Sequence, residues 1–114
     1  MDGQFDIFQQ GNCTVYRLNQ AYHGKGIDKE TLRLLAEHVK RSDLKVLVDL
    51  QNNDNIHVAD IQALVRMIKY VNENSGKIAV VSVPPKVMEV LNLIKINAEM
   101  AILNNVEDGV HALN

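Results

Sequence analysis

Of the 114 residues, only one is cysteine, so no disulfide can form within the chain, and the sequence must stabilise itself by burial alone. No run approaches the roughly 20 apolar residues that a membrane-spanning helix needs, and the opening "MDGQFDIF" carries no apolar signal segment. A soluble, cytoplasmic protein without direct membrane insertion is expected. Basic residues are also scarce: 12 Lys and Arg against 14 Asp and Glu leave a formal net charge of −2. That balance lacks the positive footprint of phosphate-backbone binding, which argues against nucleic acid as the partner. Reactive constellations are missing too. No serine or cysteine sits beside a base, Cys13 lies alone in an apolar strand-like run, and the carboxylates sit mainly on helix surfaces, as in the i, i+4 neighbours Arg33, Glu37 and Arg41. A non-enzymatic role is expected.

What remains is an ordinary globular mixture of single-domain size, 1–114, with a clear order of elements. "FDIF" and "CTVYRL" are β-like runs separated by "QQGN", which predicts a hairpin with Gly11 and Asn12 in the turn. Asp28 reads as an N-cap, with Ile27 and Leu32 as a hydrophobic staple. Leu32, Leu35, Ala36 and Val39 then repeat at helical spacing. "KVLVDL" (45–50) and "KIAVVSV" (77–83) are continuous apolar runs, the pattern of strands covered on both faces. Ile61, Leu64, Val65, Ile68 and Val71 mark a second amphipathic helix between them, closed by Gly76 at C′. Pro84 and Pro85 suit the first turn of a third helix with Val87, Leu91 and Ile94 inward. "AEMAIL" reads as a last strand, and Asn105 caps a closing helix with Asp108 three residues on. The order β-β-α-β-α-β-α-β-α predicts an α/β fold: a single-layer mixed sheet of about five strands, with about four helices packed mainly on one side.

Several weak motifs have simpler explanations. "QNNDN" has oxygen ligands for calcium but lacks the glycine and bidentate glutamate of an EF-hand loop, so it reads as a turn. "HGKGID" matches neither glycine pattern of a phosphate loop. On the second helix, Ala59, Ala63, Met67 and Tyr70 follow one another at spacings of 4, 4 and 3, which predicts a shallow outward face suited to a protein partner or to a second copy of the chain.

The segment "VLVDLQNNDNIHVADIQAL" is similar to the strand, loop and helix signature of the STAS family, the anti-sigma-factor antagonist domains. Asp49, Leu50, Ile56, Ile61 and Leu64 match that signature, and "GKIAVVSVPPKVMEVLNL" and "ILNNVEDGVHAL" resemble the segments that follow it. The resemblance implies a STAS-like fold and a bacterial regulatory module that binds another protein, an ATP-binding anti-sigma kinase or a related regulator, through the second helix and its leading loop. His23, His57, Val58, Ala59, Asp60, Ala63, Met67 and Tyr70 are the expected contact residues. Where the family signature carries D-S-S-G, this chain reads His57-Val58-Ala59-Asp60, so Val58 stands at the usual phosphorylated serine. Neither Val58 nor Ala59 has an oxygen to accept phosphate, and no phosphorylation is expected there. The other hydroxyl residues weighed, Thr14, Thr31, Ser42, Ser75 and Ser82, fall elsewhere. Gln20-Ala21-Tyr22-His23 likewise replaces the family's G-E-L-D loop. Only on the fold that this resemblance implies could His23 and His57, with Asp54 or Asp60, meet at one end of the sheet as a zinc or pH-sensing group. No HxxxH spacing supports such a site, and neither a metal nor a cofactor is expected. Small STAS proteins also imply one alternative, an accessory subunit of a membrane-lipid transport ATPase; a reading of a different class is a small-ligand sensor, with nucleotide or lipid held where the loops meet the N-terminus of the second helix.

Overall fold

The computed structural model describes residues 5–19, 33, 36, 37, 44–53, 56, 58–93 and 100–114, with the side chains of Val58, Ala59 and Ala63 left aside. Within them one five-stranded sheet runs in the order β1 (Phe5–Gln10), β2 (Cys13–Leu18), β3 (Lys45–Asp49), β4 (Lys77–Val81), β5 (Ala101–Leu103). β1 and β2 are antiparallel and in unbroken register from Phe5↔Leu18 to Gln10↔Cys13. The two-residue turn between them places Gly11 at φ +61, the geometry in which glycine leads a primed hairpin turn. Asn12 keeps a negative φ, so only the glycine uses the left-handed region. The other pairings are parallel.

Three described helices complete the fold: α1 (Val58–Glu73), α2 (Pro85–Leu93) and α3 (Val106–Leu113). Arg33, Ala36 and Glu37 are helical, and Arg33 pairs with Glu37 one turn on; the cap and staple expected at Asp28, Ile27 and Leu32 lie outside the described residues. α2 starts at Pro85, where a missing N–H loses nothing, and buries Val87 and Leu91 as expected, while Ile94 lies outside the described residues. α3 is capped by Asn105, whose side-chain oxygen accepts from the Asp108 N–H at 2.8 Å.

Alternate residues of the central strands feed two separate cores. Tyr16, Val46, Val48, Ile78 and Val80 pack under α1 and α2. Val15, Leu47, Ala79 and Val81 pack under α3 through Leu113, Val106 and Val110. The sheet is therefore covered on both faces, as the continuous apolar runs require. Two of the three described helices share one face, in keeping with helices mainly on one side, and the closing helix α3 covers the other.

Two glycines are explained by what a side chain would meet. At Gly109 a Cβ would stand 2.5 Å from Leu47 Cδ1 and 3.0 Å from Val81 Cγ1, so α3 lies with its backbone directly on the sheet. At Gly76 a Cβ would lie 2.8 Å from both Leu44 Cδ2 and Val71 Cγ1. The left-handed residue that ends α1 is Ser75, at φ +62, rather than Gly76. Gly76 is needed for close approach, and its N–H donates to the Val71 carbonyl at 2.9 Å.

Candidate functional site

β3 ends in Asp49, and its carboxylate organises the loop that leads to α1. Oδ2 accepts from Arg17 Nε on β2 at 3.1 Å, while Oδ1 accepts from the Gln51 N–H at 2.9 Å. The side-chain amide of Gln51 reaches back to the Leu18 carbonyl at 2.6 Å. Gln51 and Asn52 both take left-handed conformations, φ +54 and +55. This is the turn chemistry expected of "QNNDN", with the difference that glutamine also enters the left-handed region. Arg17 is held on its other side by the Phe8 ring, with its guanidinium carbon 4.8 Å from the centroid. The pair is half in solvent at Arg17, so its attraction is modest, and its larger effect is to fix the backbone that follows Asp49.

The loop is tied sideways as well. Leu50 N–H donates to the Val81 carbonyl at 3.1 Å, and Asn52 N–H donates to the Ser82 carbonyl at 2.8 Å. Register brings Asp49, Val81 and Leu103 level, so the exits of β3, β4 and β5 stand side by side. α2 then runs to one face of the sheet and α3 to the other. Diverging connections of this kind open a crevice at the carboxyl ends of parallel strands. Here it is a cleft of about 350 Å³ lined by Asn52, Ser82, Val83, Met88, Ile102, Leu103 and Asn104. Ser82, at φ +52, donates its hydroxyl to the Asn104 carbonyl at 3.4 Å across the cleft.

α1 begins at Val58, at the end of this loop, as the sequence pattern predicts. Asp60 lies in its first turn, where the helix dipole favours a negative charge, and is 5% exposed. Ile61, Leu64, Met67, Ile68 and Val71 form the buried arc of the helix. Met67 thus belongs to the core and not to an outward face: it is 0% exposed, three residues after Leu64 and four before Val71, so helical geometry places it inside the apolar stripe. Tyr70 is partly buried against the same core, at the border of the exposed face. The expected Ala59–Ala63–Met67–Tyr70 docking stripe is therefore not a continuous surface. Among the described side chains of α1, those that face solvent are Gln62, Arg66, Lys69 and Glu73, at spacings of 4, 3 and 4. Sequence reasoning missed this polar stripe, although its spacing was visible opposite the apolar one. His23, His57 and Asp54, from the histidine group that no sequence spacing supports, lie outside the described residues.

The assembly is an open mixed sheet whose strand exits carry a tightly braced loop, a polar cleft and a helix with a charged outer face, with no nucleophile–base pair drawn together among these residues. The chain belongs to the STAS domain family: the family model, described as STAS domain, matches residues 4–109. Among solved structures, the NMR structure of TM1081 is similar at a TM-score of 0.68 and 18% identity, over 99% of this chain and 90% of that one. The crystal structure of TM1081 from Thermotoga maritima matches at 0.67 and 19%, over 96% and 93%. An anti-sigma-factor antagonist (STAS) domain protein from Planctomyces limnophilus matches at 0.68 and 20%, over 96% and 97%. A Ser→Glu variant of Moorella thermoacetica RsbS matches at 0.66 and 12%, over 97% and 95%. At these identities the likeness is one of fold. No match is found among curated proteins.

Proposed function

We propose that this chain is a non-catalytic, protein-binding regulatory module of the cytoplasm, of the anti-sigma-factor-antagonist kind, and that its partner is an ATP-binding anti-sigma kinase or a related regulator. The match of residues 4–109 to the STAS domain carries the reading. The docking surface is the strand-exit end: the braced loop 50–53, the start of α1 at Val58 and Ala59 with His57 before it in sequence, and the outer face of α1 through Gln62, Arg66 and Lys69, bordered by Tyr70. Arg66 and Lys69 give that face a positive centre, so the partner presents carboxylates there. The Asn52–Ser82–Asn104 cleft receives a side chain from the partner beside them. Control by phosphate at the start of α1 is absent, because Val58 has no acceptor oxygen.

The test is calorimetric binding to the anti-sigma kinases of the same cell, each loaded with ATP or with ADP. Arg66→Glu/Lys69→Glu serves as the docking variant and Val58→Ser as the restored acceptor. One kinase is expected to bind in one nucleotide state, to lose at least about tenfold in affinity with the docking variant, and to label Val58→Ser but not the wild type. Binding to none of them in either state would sink the reading.

A further inference from the structure

The two edges of the sheet are built differently. β5 has three residues, too few to template another strand, whereas β1 has six, FDIFQQ, and no described strand pairs with its outer side. Long edge strands in soluble proteins are blunted by charged side chains, lysine above all, by proline, a bulge or a covering segment; the single charge on β1 is Asp6. β1 has no lysine and no proline, and its register to β2 is unbroken. Asp6, Ile7, Gln9 and Gln10 are exposed; Ile7, at 37%, is one of two large apolar side chains that the described residues leave to solvent.

From these features we infer that β1 is a self-association edge, and that its occupant is β1 of a second copy in antiparallel pairing. The sequence is self-complementary about Ile7. A two-fold axis there sets Ile7 against Ile7, Asp6 against Phe8 and Phe5 against Gln9, every pair on a common face of the sheet, as antiparallel pairing demands. The one charged residue, Asp6, never faces its own copy. The result is one continuous ten-stranded sheet, with the strand-exit ends of both copies left open. The contact is only about 20 Å long and falls short of the roughly 1,200 Å² typical of stable complexes, so the dimer is a weak, concentration-dependent one.

Sedimentation of the full chain from about 10 μM to about 1 mM tests this. The average mass is expected to rise from 12.8 kDa toward twice that value. Ile7→Lys and Ile7→Glu are each expected to stay monomeric over the same range, because like charges meet at the axis. An equimolar mixture of the two is expected to restore the dimer, which also shows that both variants are folded. Leu93→Lys, at the other exposed apolar residue, is expected to change nothing. A wild type that stays monomeric to about 1 mM, a dimer indifferent to Ile7→Lys, or a mixture that fails to associate would each overturn the inference.

Discussion

Replacing Gly109 by alanine sets two effects of known sign against each other. In a helix interior alanine is favoured over glycine by about 1 kcal/mol, so on local grounds alone the substitution stabilises α3. Against this stands the sheet. The new methyl would lie 2.5 Å from Leu47 Cδ1 and 3.2 Å from Leu47 Cγ, with Val81 Cγ1 at 3.0 Å, where carbon atoms prefer about 3.5–4.0 Å. Relief requires α3 to lift by about 1 Å or Leu47 to leave its rotamer. Leu47 is fully buried among Val15, Ala79, Val81 and Leu113, so it has nowhere to turn. Overpacking of this kind costs about 1–3 kcal/mol, and with so rigid a neighbour the upper part of that range applies. The net expectation is a loss of about 1–2 kcal/mol, read as a fall of roughly 4–10 °C in melting temperature. A double-mutant cycle isolates the cause. In a Leu47→Ala background, itself destabilised by about 2–5 kcal/mol, Gly109→Ala should become neutral or stabilising. If Gly109→Ala stabilises the wild type, or is equally harmful in both backgrounds, the close seating of α3 on β3 is wrong.

Met67→Ala should lower unfolding stability in urea by about 2–5 kcal/mol through the cavity it leaves, whereas Arg66→Glu/Lys69→Glu should stay within about 0.5 kcal/mol of wild type; the reverse order would put the wrong arc of α1 in the core. Burial raises the Tyr16 phenol from 10.0 to about 12. Its neutral form is therefore favoured in the folded state, and the stability linked to it is fully present below pH 10 and lost as pH rises toward 12. That loss amounts to roughly 2–3 kcal/mol and should be absent in Tyr16→Phe when denaturation is followed across that window. Asp49→Ala removes the acceptor of both Arg17 and the Gln51 N–H, and should cost about 1–3 kcal/mol in chemical denaturation. It should also speed amide exchange at Gln51 and Asn52, and unchanged exchange there would show that the carboxylate does not brace the loop.

Much of the fold was legible because its signals are local. "QQGN" between two β-like runs, Pro85 at a helix start and Asn105 three residues before Asp108 each state a backbone geometry in side-chain chemistry, and each appears where it was read. The outward face of α1 was misread for a geometric reason. Met67 is spaced from Leu64 and Val71 as a core residue, and its spacing of 4 from Ala63 and 3 from Tyr70 fits a neighbouring stripe equally well, so spacing alone leaves a residue at the border of two stripes unassigned. A glycine just past a helix end commonly serves as its left-handed cap, which is the role the sequence pattern predicts for Gly76. Its real constraint is a close approach to Leu44, 32 residues earlier in the chain, which no local pattern encodes.

By itself the sequence determined that this is an α/β chain with buried parallel strands, that its family resemblance is to STAS domains, and that the start of α1 carries no hydroxyl. The first follows from hydrophobic periodicity and the last from the identity of single residues, while the resemblance rests on matched motif residues such as Asp49, Leu50, Ile56, Ile61 and Leu64. Only the tertiary structure decided that α3 crosses to the opposite face from α1 and α2, that the exits of β3, β4 and β5 stand level around a cleft, that Asp49 joins β2 to the loop before α1, and that β1 is the outermost of the described strands at one edge. Each of these is a relation between residues far apart in the chain. Such relations are set by which strands pair and which faces are covered, and the same local signals are compatible with several pairings.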